Sequence, residues 1–167
     1  PSSYSVLNSF LDLSKIVNFL DINIIEFDNS YIYISRSGYT GEDGFEISIS
    51  NENAENFINK VFKNENTLLC GLGCRDSLRV EAGLSLYGNE INEDITPIQA
   101  NLSWAIDKKR LDDENLNGSN ILLQQLQETK DTLKIGITPV NKIMLRNNMT
   151  LYNMEKNEIG FITSGCF

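Results

Sequence analysis

The stretch RSGYTGEDGFEI, residues 36–47, organises the first half of this chain. Its glycines lie three residues apart, at Gly38, Gly41 and Gly44. Strand-like apolar runs flank it at 31–36 and 45–50, so the pattern predicts two strands joined by a glycine-rich turn with residues 43–44 as the tight-turn dipeptide. Glycine at such positions either supplies positive φ or lets another group approach the backbone closely.

Glu46 follows this turn inside the second strand, between two apolar residues. A carboxylate at such a position either faces solvent on the polar side of the strand or lines a pocket, and periodicity does not choose between the two. A decorated β-hairpin with no further role would also account for the glycines and the flanking strands.

The composition restricts the classes of protein to which the chain can belong. It has 167 residues, 41% hydrophobic and 22% charged, which is ordinary for a globular protein with one sizeable core or two small ones. The net charge of −9 argues against nucleic acid or an anionic membrane as the main partner. No apolar run approaches the roughly 18 residues that cross a bilayer.

Histidine is absent from the chain, which removes the commonest general base and the commonest metal ligand. The three cysteines, Cys70, Cys74 and Cys166, do not have the Cys-x-x-Cys spacing of zinc or redox sites. We therefore expect no metal site. Any acid–base chemistry would depend on carboxylates, tyrosines or the substrate itself.

Periodicity places the remaining elements along the chain. Apolar spacings of three and four predict one or two helices over residues 5–20, divided at Asp12 and Ser14 if there are two, and one helix each over 53–63 and 119–128. A glycine turn opens another helix that ends near Gly83. Short apolar runs between turn residues predict strands at 22–27, 31–36, 45–50, 133–138, 143–146, 150–153 and 159–163, with a turn over residues 28–30 between the first two. The charged, asparagine-rich residues 107–118 are a candidate domain boundary.

Three further side chains have two possible roles each. Arg75 and Arg79 are one helical turn apart, and we expect Arg79 to pair with an acidic residue at the surface. Arg75 lies where the glycine turn meets the helix, so its guanidinium could instead fork onto a planar heterocycle or a carboxylate. Trp104 follows a long irregular connection, and a single tryptophan is more often a core residue than a ligand platform.

Four blocks of sequence, in order, resemble the glycine cleavage system T-proteins, the aminomethyltransferase family. They are RSGYTGEDGFEI (36–47), GLGCRDSLRVEAGLSLYG (71–88), ITPIQANLSW (95–104) and IGFITSGCF (159–167). The resemblance implies an α+β fold. A folate-binding α/β subdomain with a mainly antiparallel sheet would occupy residues 1–110. A linker with a short helix at 111–130 and the start of a C-terminal β-barrel domain at 131–167 would follow.

The resemblance also implies a reaction and a location. T-proteins take an aminomethyl group from the dihydrolipoyl arm of the H-protein, release ammonia and form 5,10-methylenetetrahydrofolate from tetrahydrofolate. The folate amine is the nucleophile and the lipoyl thiolate is the leaving group. The protein therefore contributes mainly positioning, which suits a chain without histidine. The implied compartment is the bacterial cytoplasm, or the mitochondrial matrix in a eukaryote.

Site residues follow from the resemblance position by position. Glu46 matches the glutamate that hydrogen-bonds the pterin ring, where a carboxylate can accept both hydrogens of an aminopyrimidine edge. Arg75 matches an arginine that lines the folate site, and Tyr39 and Trp104 match aromatic positions near that pocket. The family aspartate that orients the reacting amine lies N-terminal to the matched blocks. No catalytic residue is therefore expected within this chain.

Departures from the family pattern leave alternatives open. Cys74 and Gln99 stand where the family often has alanine and glutamate. The chain enters the family pattern mid-protein, so we expect an internal fragment, without the N-terminal part and the extreme C-terminus, that is inert by itself. Related folate modules occur in sarcosine and dimethylglycine dehydrogenases and in a non-enzymatic folate-binding protein of iron–sulfur assembly. The GEDGFE turn at 41–46 favours the T-proteins over the iron–sulfur protein. The flavin-enzyme alternative would require a long N-terminal dinucleotide-binding domain.

Overall fold

The computed structural model describes residues 2–111, 113, 115–128 and 132–166. Its helices and strands are α1 (Ser3–Asn8), β1 (Ile22–Phe27), β2 (Ser30–Ser35), β3 (Glu46–Ser48), α2 (Asn51–Val61), α3 (Leu72–Glu81), α4 (Ser119–Gln127), β4 (Thr150–Tyr152) and β5 (Glu158–Phe161). This combination of helices with antiparallel strands confirms the α+β class. The chain forms two compact units, the first ending at Ala82 and the second beginning at Gly83.

The first unit is built on an antiparallel sheet with strand order β1-β2-β3. Asp28 and Asn29 join β1 to β2 with φ of 52° and 58°, the backbone of a two-residue type I′ hairpin turn. Aspartate and asparagine tolerate this left-handed conformation better than other non-glycine residues, so the turn predicted here is confirmed.

One face of this sheet is covered by the core of the first unit. Ile32 and Ile34 of β2 are fully buried. Phe10, Phe27 and Phe57 pack edge to face, with ring centroids 5.4–6.4 Å apart. Burying an aromatic or aliphatic side chain of this size stabilises the fold by about 1.5–3 kcal/mol. The core thereby fixes the sheet against α2.

The helical structure predicted over residues 5–20, as one helix or two, is wrong beyond Asn8, where α1 ends. Asp12 instead accepts a hydrogen bond from the backbone N–H of Ser14 at 3.0 Å. The Asp21 carboxylate accepts two backbone N–H groups in the same way. Such local side-chain bonds offer the backbone an alternative to helix, which apolar spacing does not reveal.

The second unit combines irregular backbone, α4 and one small sheet. β4 pairs with β5, and α4 follows Gly118, so the strands predicted at 150–153 and 159–163 and the helix at 119–128 are confirmed in most of their length. No regular strand forms at 133–138 or 143–146. The apolar side chains of 133–138 stay largely exposed, so no buried sheet face rewards strand pairing there.

Candidate functional site

Arg36 fixes the connection between β2 and β3. Its Nε and Nη2 donate to the two carboxylate oxygens of Asp43 at 2.8 and 2.9 Å, and its Nη1 donates to the carbonyl of Val17. The guanidinium carbon lies 5.4 Å from the ring centre of Tyr4 and 5.9 Å from that of Phe45. One side chain therefore ties both ends of the glycine-rich turn to the segment before β1.

This ion pair perturbs both partners. Hydrogen bonds from Arg36 hold the pKa of the Asp43 carboxyl below its usual range, and the same bonds raise the pKa of Arg36. A bidentate guanidinium–carboxylate pair also fixes orientation, because two parallel hydrogen bonds define a plane. The Arg36–Asp43 pair therefore fixes both the distance and the orientation between the two ends of the glycine-rich turn.

Among the turn glycines, Gly41 is the one whose position needs a residue without a side chain. It has φ of +75°, and a Cβ there would lie 2.5 Å from the Cβ of Ala82. Gly38 has open space, and Gly44 has its nearest neighbour at 3.9 Å; neither has positive φ. The predicted tight turn at 43–44 is therefore wrong. The chain reverses instead where Gly41 packs against the end of α3.

Glu46 is the first residue of β3 and lies opposite Ser35 of β2. Its neighbour Ile47 packs against the core, so alternation puts Glu46 on the exposed face of the sheet. The hydroxyl of Ser37 donates to Glu46 Oε2 at 2.6 Å, a short charge-assisted bond. The carboxylate is therefore solvent-accessible and held in place.

Two other predicted site residues stack on each other. Arg75 lies in the first turn of α3, and its guanidinium carbon is 4.8 Å from the ring centre of Tyr39. A guanidinium at this distance from an aromatic ring makes a cation–π contact. Trp104 lies in the second unit, on a 3-10 helix over Ser103–Ala105, with 80% of its surface exposed. Its assignment to the site stays a prediction.

The surface position predicted for Arg79 is wrong. Its acidic partner exists, since its Nε donates to Asp76 Oδ1 at 2.8 Å, but Arg79 is 1% exposed and not at the surface. Asp76 three residues earlier is a signal of this pair. The sequence predicts neither the Arg36–Asp43 pair nor the Ser37–Glu46 hydrogen bond. Both bonds join residues on opposite sides of the glycine-rich connection, and the sequence does not specify the path of that connection.

The cysteines and the helices add little to the site. Cys70 and Cys74 are exposed free thiols, and hydrogen bonding to Cys70 raises the pKa of the Cys74 thiol. Among the described residues, no group of three or more histidine, cysteine, aspartate or glutamate side chains could hold a metal ion. No described helix is both long enough and apolar enough to cross a membrane.

Comparison with known proteins identifies the family. Residues 1–110 match the family described as the GCVT N-terminal domain. The chain is 41% identical over 158 residues to the mitochondrial aminomethyltransferase of Flaveria anomala, covering 93% of this chain and 38% of that protein. It is 38% identical over 169 residues to the human mitochondrial aminomethyltransferase, covering 99% of this chain and 41% of the relative.

A solved structure shows the same fold. The crystal structure of glycine cleavage system aminomethyltransferase T from Bartonella henselae matches with a TM-score of 0.85 and 36% identity, over 98% of this chain and 44% of that one. The chain therefore belongs to the GCVT N-terminal domain family, and the resemblance to T-proteins is confirmed. It spans about two fifths of the length of these relatives.

Proposed function

We propose that this chain supplies the folate-binding part of a tetrahydrofolate-dependent aminomethyltransferase of the glycine cleavage system. The enzyme takes the aminomethyl group from the dihydrolipoyl arm of the lipoylated H-protein. It transfers the one-carbon unit to tetrahydrofolate, which gives 5,10-methylenetetrahydrofolate and releases ammonia. The observation that carries this proposal is the exposed, fixed carboxylate of Glu46 in a chain that belongs to the GCVT family.

The chemistry of Glu46 suits a pterin. An ionised carboxylate has about four acceptor positions on its two oxygens, and the bond from Ser37 uses one of them. The remaining positions can accept the ring N–H and the exocyclic amine of an aminopyrimidine edge side by side. Such a paired, charge-assisted contact gives direction as well as affinity.

Arg75 and Tyr39 suit the rest of a folate. Their cation–π contact puts a guanidinium next to an aromatic ring, and these are the two groups that contact carboxylates and planar heterocycles. Folate contains both groups, a pterin ring and a glutamate tail. We assign Glu46, Arg75 and Tyr39 to folate binding, and Trp104 as a further aromatic contact.

The proposal assigns binding, and not chemistry, to residues 1–167. We assign no catalytic residue here and expect the chain by itself to bind folate without turnover. The match over residues 1–110 supports a folate-binding domain of that extent. A linker at 111–130 and a barrel beginning at 131 remain part of the proposal. The mitochondrial relatives favour a matrix location in a eukaryotic source, and a bacterial source would place it in the cytoplasm.

Titration calorimetry with tetrahydrofolate tests the site. Glu46→Ala should weaken binding about tenfold or more, since a hydrogen bond to a charged group contributes roughly 1.5–3 kcal/mol. Glu26→Ala is the matched control, because Glu26 is another exposed glutamate on the same sheet, paired with Tyr31. It should leave binding within about twofold, as surface substitutions away from a site do.

Two results would contradict the proposal. Equal tetrahydrofolate affinity in the wild-type chain and the Glu46→Ala variant would remove Glu46 from a folate site. Formation of 5,10-methylenetetrahydrofolate by residues 1–167 with aminomethylated H-protein would contradict the expectation of binding without turnover.

A further inference from the structure

We propose that Ser37, supported by Ser35, is a positioning residue that orients the Glu46 carboxylate toward the pterin edge. The inference rests on the proposed folate function and adds two hydroxyls to it. Its basis is a chain of three side chains, from Ser35 at the end of β2, Ser37 in the following connection and Glu46 at the start of β3. Ser35 Oγ lies 2.7 Å from Ser37 Oγ, which lies 2.6 Å from Glu46 Oε2.

Proton counting gives this chain a direction. Each serine hydroxyl has one proton to donate, whereas an ionised carboxylate can only accept. Ser37 must therefore donate its proton to Glu46, so the bond between the two serines must use the proton of Ser35. The order of donation is Ser35 to Ser37 to Glu46, and Ser35 polarises the hydroxyl that holds the carboxylate.

The backbone that presents Ser37 is itself fixed. The preceding residue, Arg36, has its N–H bonded to the carbonyl of Asp21 and its carbonyl bonded to the N–H of Leu20, both at 3.0 Å. The Arg36 side chain is clamped to Asp43. Both serines are half-buried, whereas Glu46 is exposed. The Glu46 side chain is thus held by the Ser37 hydroxyl, which lies next to a backbone segment fixed by hydrogen bonds.

This arrangement orients the Glu46 carboxylate and still leaves hydrogen-bond acceptor positions on both of its oxygens. In the part of the chain that the structure describes, no side chain is seen to donate to Glu46 Oε1, and Oε2 accepts one bond. Both oxygens can therefore still accept hydrogens from a ligand. An exposed glutamate loses rotamer freedom when it binds, and fixing it beforehand removes that cost from the binding step.

The first measurement needs no ligand. Three-bond NMR couplings of the Glu46 side chain should report one rotamer in the wild-type chain and in Ser37→Thr, which keeps the hydroxyl. They should average in Ser37→Ala and change less in Ser35→Ala. Averaged Glu46 couplings in the wild-type chain would overturn the positioning role directly.

The second measurement is a double-variant cycle with tetrahydrofolate as the probe. Ser37→Ala should weaken binding about three- to tenfold, within the range of the net contribution of an ordinary single hydrogen bond, and Ser37→Thr should restore it. In the Glu46→Ala background, Ser37→Ala should cause no further loss. A merely structural serine would weaken binding equally in both backgrounds. Ser48→Ala, at an exposed serine of β3, is the control and should match the wild type.

The outcomes separate the inference from the proposed function. Tetrahydrofolate binding that falls in Glu46→Ala but not in Ser37→Ala overturns the role of Ser37 and leaves the folate site. Binding that is absent, or unaffected by Glu46→Ala, overturns the folate function itself. The coupling measurement then still decides whether Ser37 fixes Glu46.

Discussion

The two connections in the sheet of the first unit are built in opposite ways. The turn between β1 and β2 reverses the chain within two residues, Asp28 and Asn29, which both have left-handed backbone, and the Asp28 carboxylate accepts one hydrogen bond from Asn56 of α2 at 2.7 Å. The connection between β2 and β3, residues 36–45, is held by the Arg36–Asp43 pair and by packing against α3. The backbone of the first connection is set by its own two residues, with one side-chain bond to α2, whereas the second is held mainly by contacts to other parts of the first unit.

The difference follows from what each connection carries. Candidate folate-binding groups lie on or beside residues 36–45, with Tyr39 inside them and Glu46 directly after them. Loops that carry function need a scaffold to position them, because a loop's own backbone seldom fixes its side chains. Contacts around 36–45 should therefore affect both stability and folate binding. Changes at Asp28 and Asn29 should affect stability alone.

The largest expected effect is at the contact between Gly41 and α3. Gly41→Ala should lower the free energy of unfolding of the first unit by roughly 2–5 kcal/mol. Left-handed backbone costs an alanine about 1–2 kcal/mol, and overpacking adds about 1–3 kcal/mol. Urea unfolding followed by backbone amide NMR of the first unit measures this loss.

Two variants sharpen the Gly41 prediction. Gly38→Ala should change the free energy of unfolding by no more than about 0.5 kcal/mol, since its surroundings are open and its φ is not positive. Adding Ala82→Gly to Gly41→Ala should remove the steric contact and leave the backbone strain. Equal losses at Gly38 and Gly41 would contradict a role for the close contact.

The next effect concerns the Arg36–Asp43 pair and its pH dependence. The pKa of Asp43 is lowered in the folded chain, so the native state binds its proton less readily than the unfolded state. The pair therefore stabilises the fold fully above the unfolded pKa of about 3.9. That contribution is lost as the pH falls through the lowered pKa of Asp43.

Urea unfolding of the wild-type chain and Asp43→Asn between pH 7 and pH 3 measures this linkage. The wild type should be the more stable by a constant amount above about pH 5, and the gap should narrow below about pH 4. Glu42→Gln, at the adjacent carboxylate, is the control and should run parallel to the wild type. A gap that stays constant down to pH 3 would show that the pair does not act through the Asp43 charge.

The same contrast explains how much the sequence revealed. Local signals predicted the turn at 28–29, the helices α2, α3 and α4, and the position of the glycine-rich connection. They did not predict how that connection is held. Arg36 pairs with Asp43, seven residues later, only because the chain folds back at Gly41, and that fold depends on α3.

For the candidate site too, the sequence predicts residues but not the contacts between them. Sequence left Glu46 undecided between solvent and a pocket, and the structure places it on the exposed sheet face with a bond from Ser37. Tyr39 and Arg75 were predicted separately, and the structure stacks them. Arg79 was misplaced because helical spacing gives the relative directions of two side chains and does not tell which direction is buried.

The smallest expected effect is at the two-residue turn, where Asn29 has φ of 58°. Asn29→Gly should stabilise the first unit by about 0.3–0.5 kcal/mol, since glycine adopts this conformation without strain and Asp-Gly suits a type I′ turn. Asn29→Ala should destabilise it by about 1 kcal/mol. Urea unfolding measures both changes. Calorimetry should show unchanged tetrahydrofolate affinity in both variants, because this turn holds its shape without contacts to residues 36–45. A loss of folate binding in Asn29→Ala as large as that in Gly41→Ala would erase the distinction between a locally specified turn and an externally supported one.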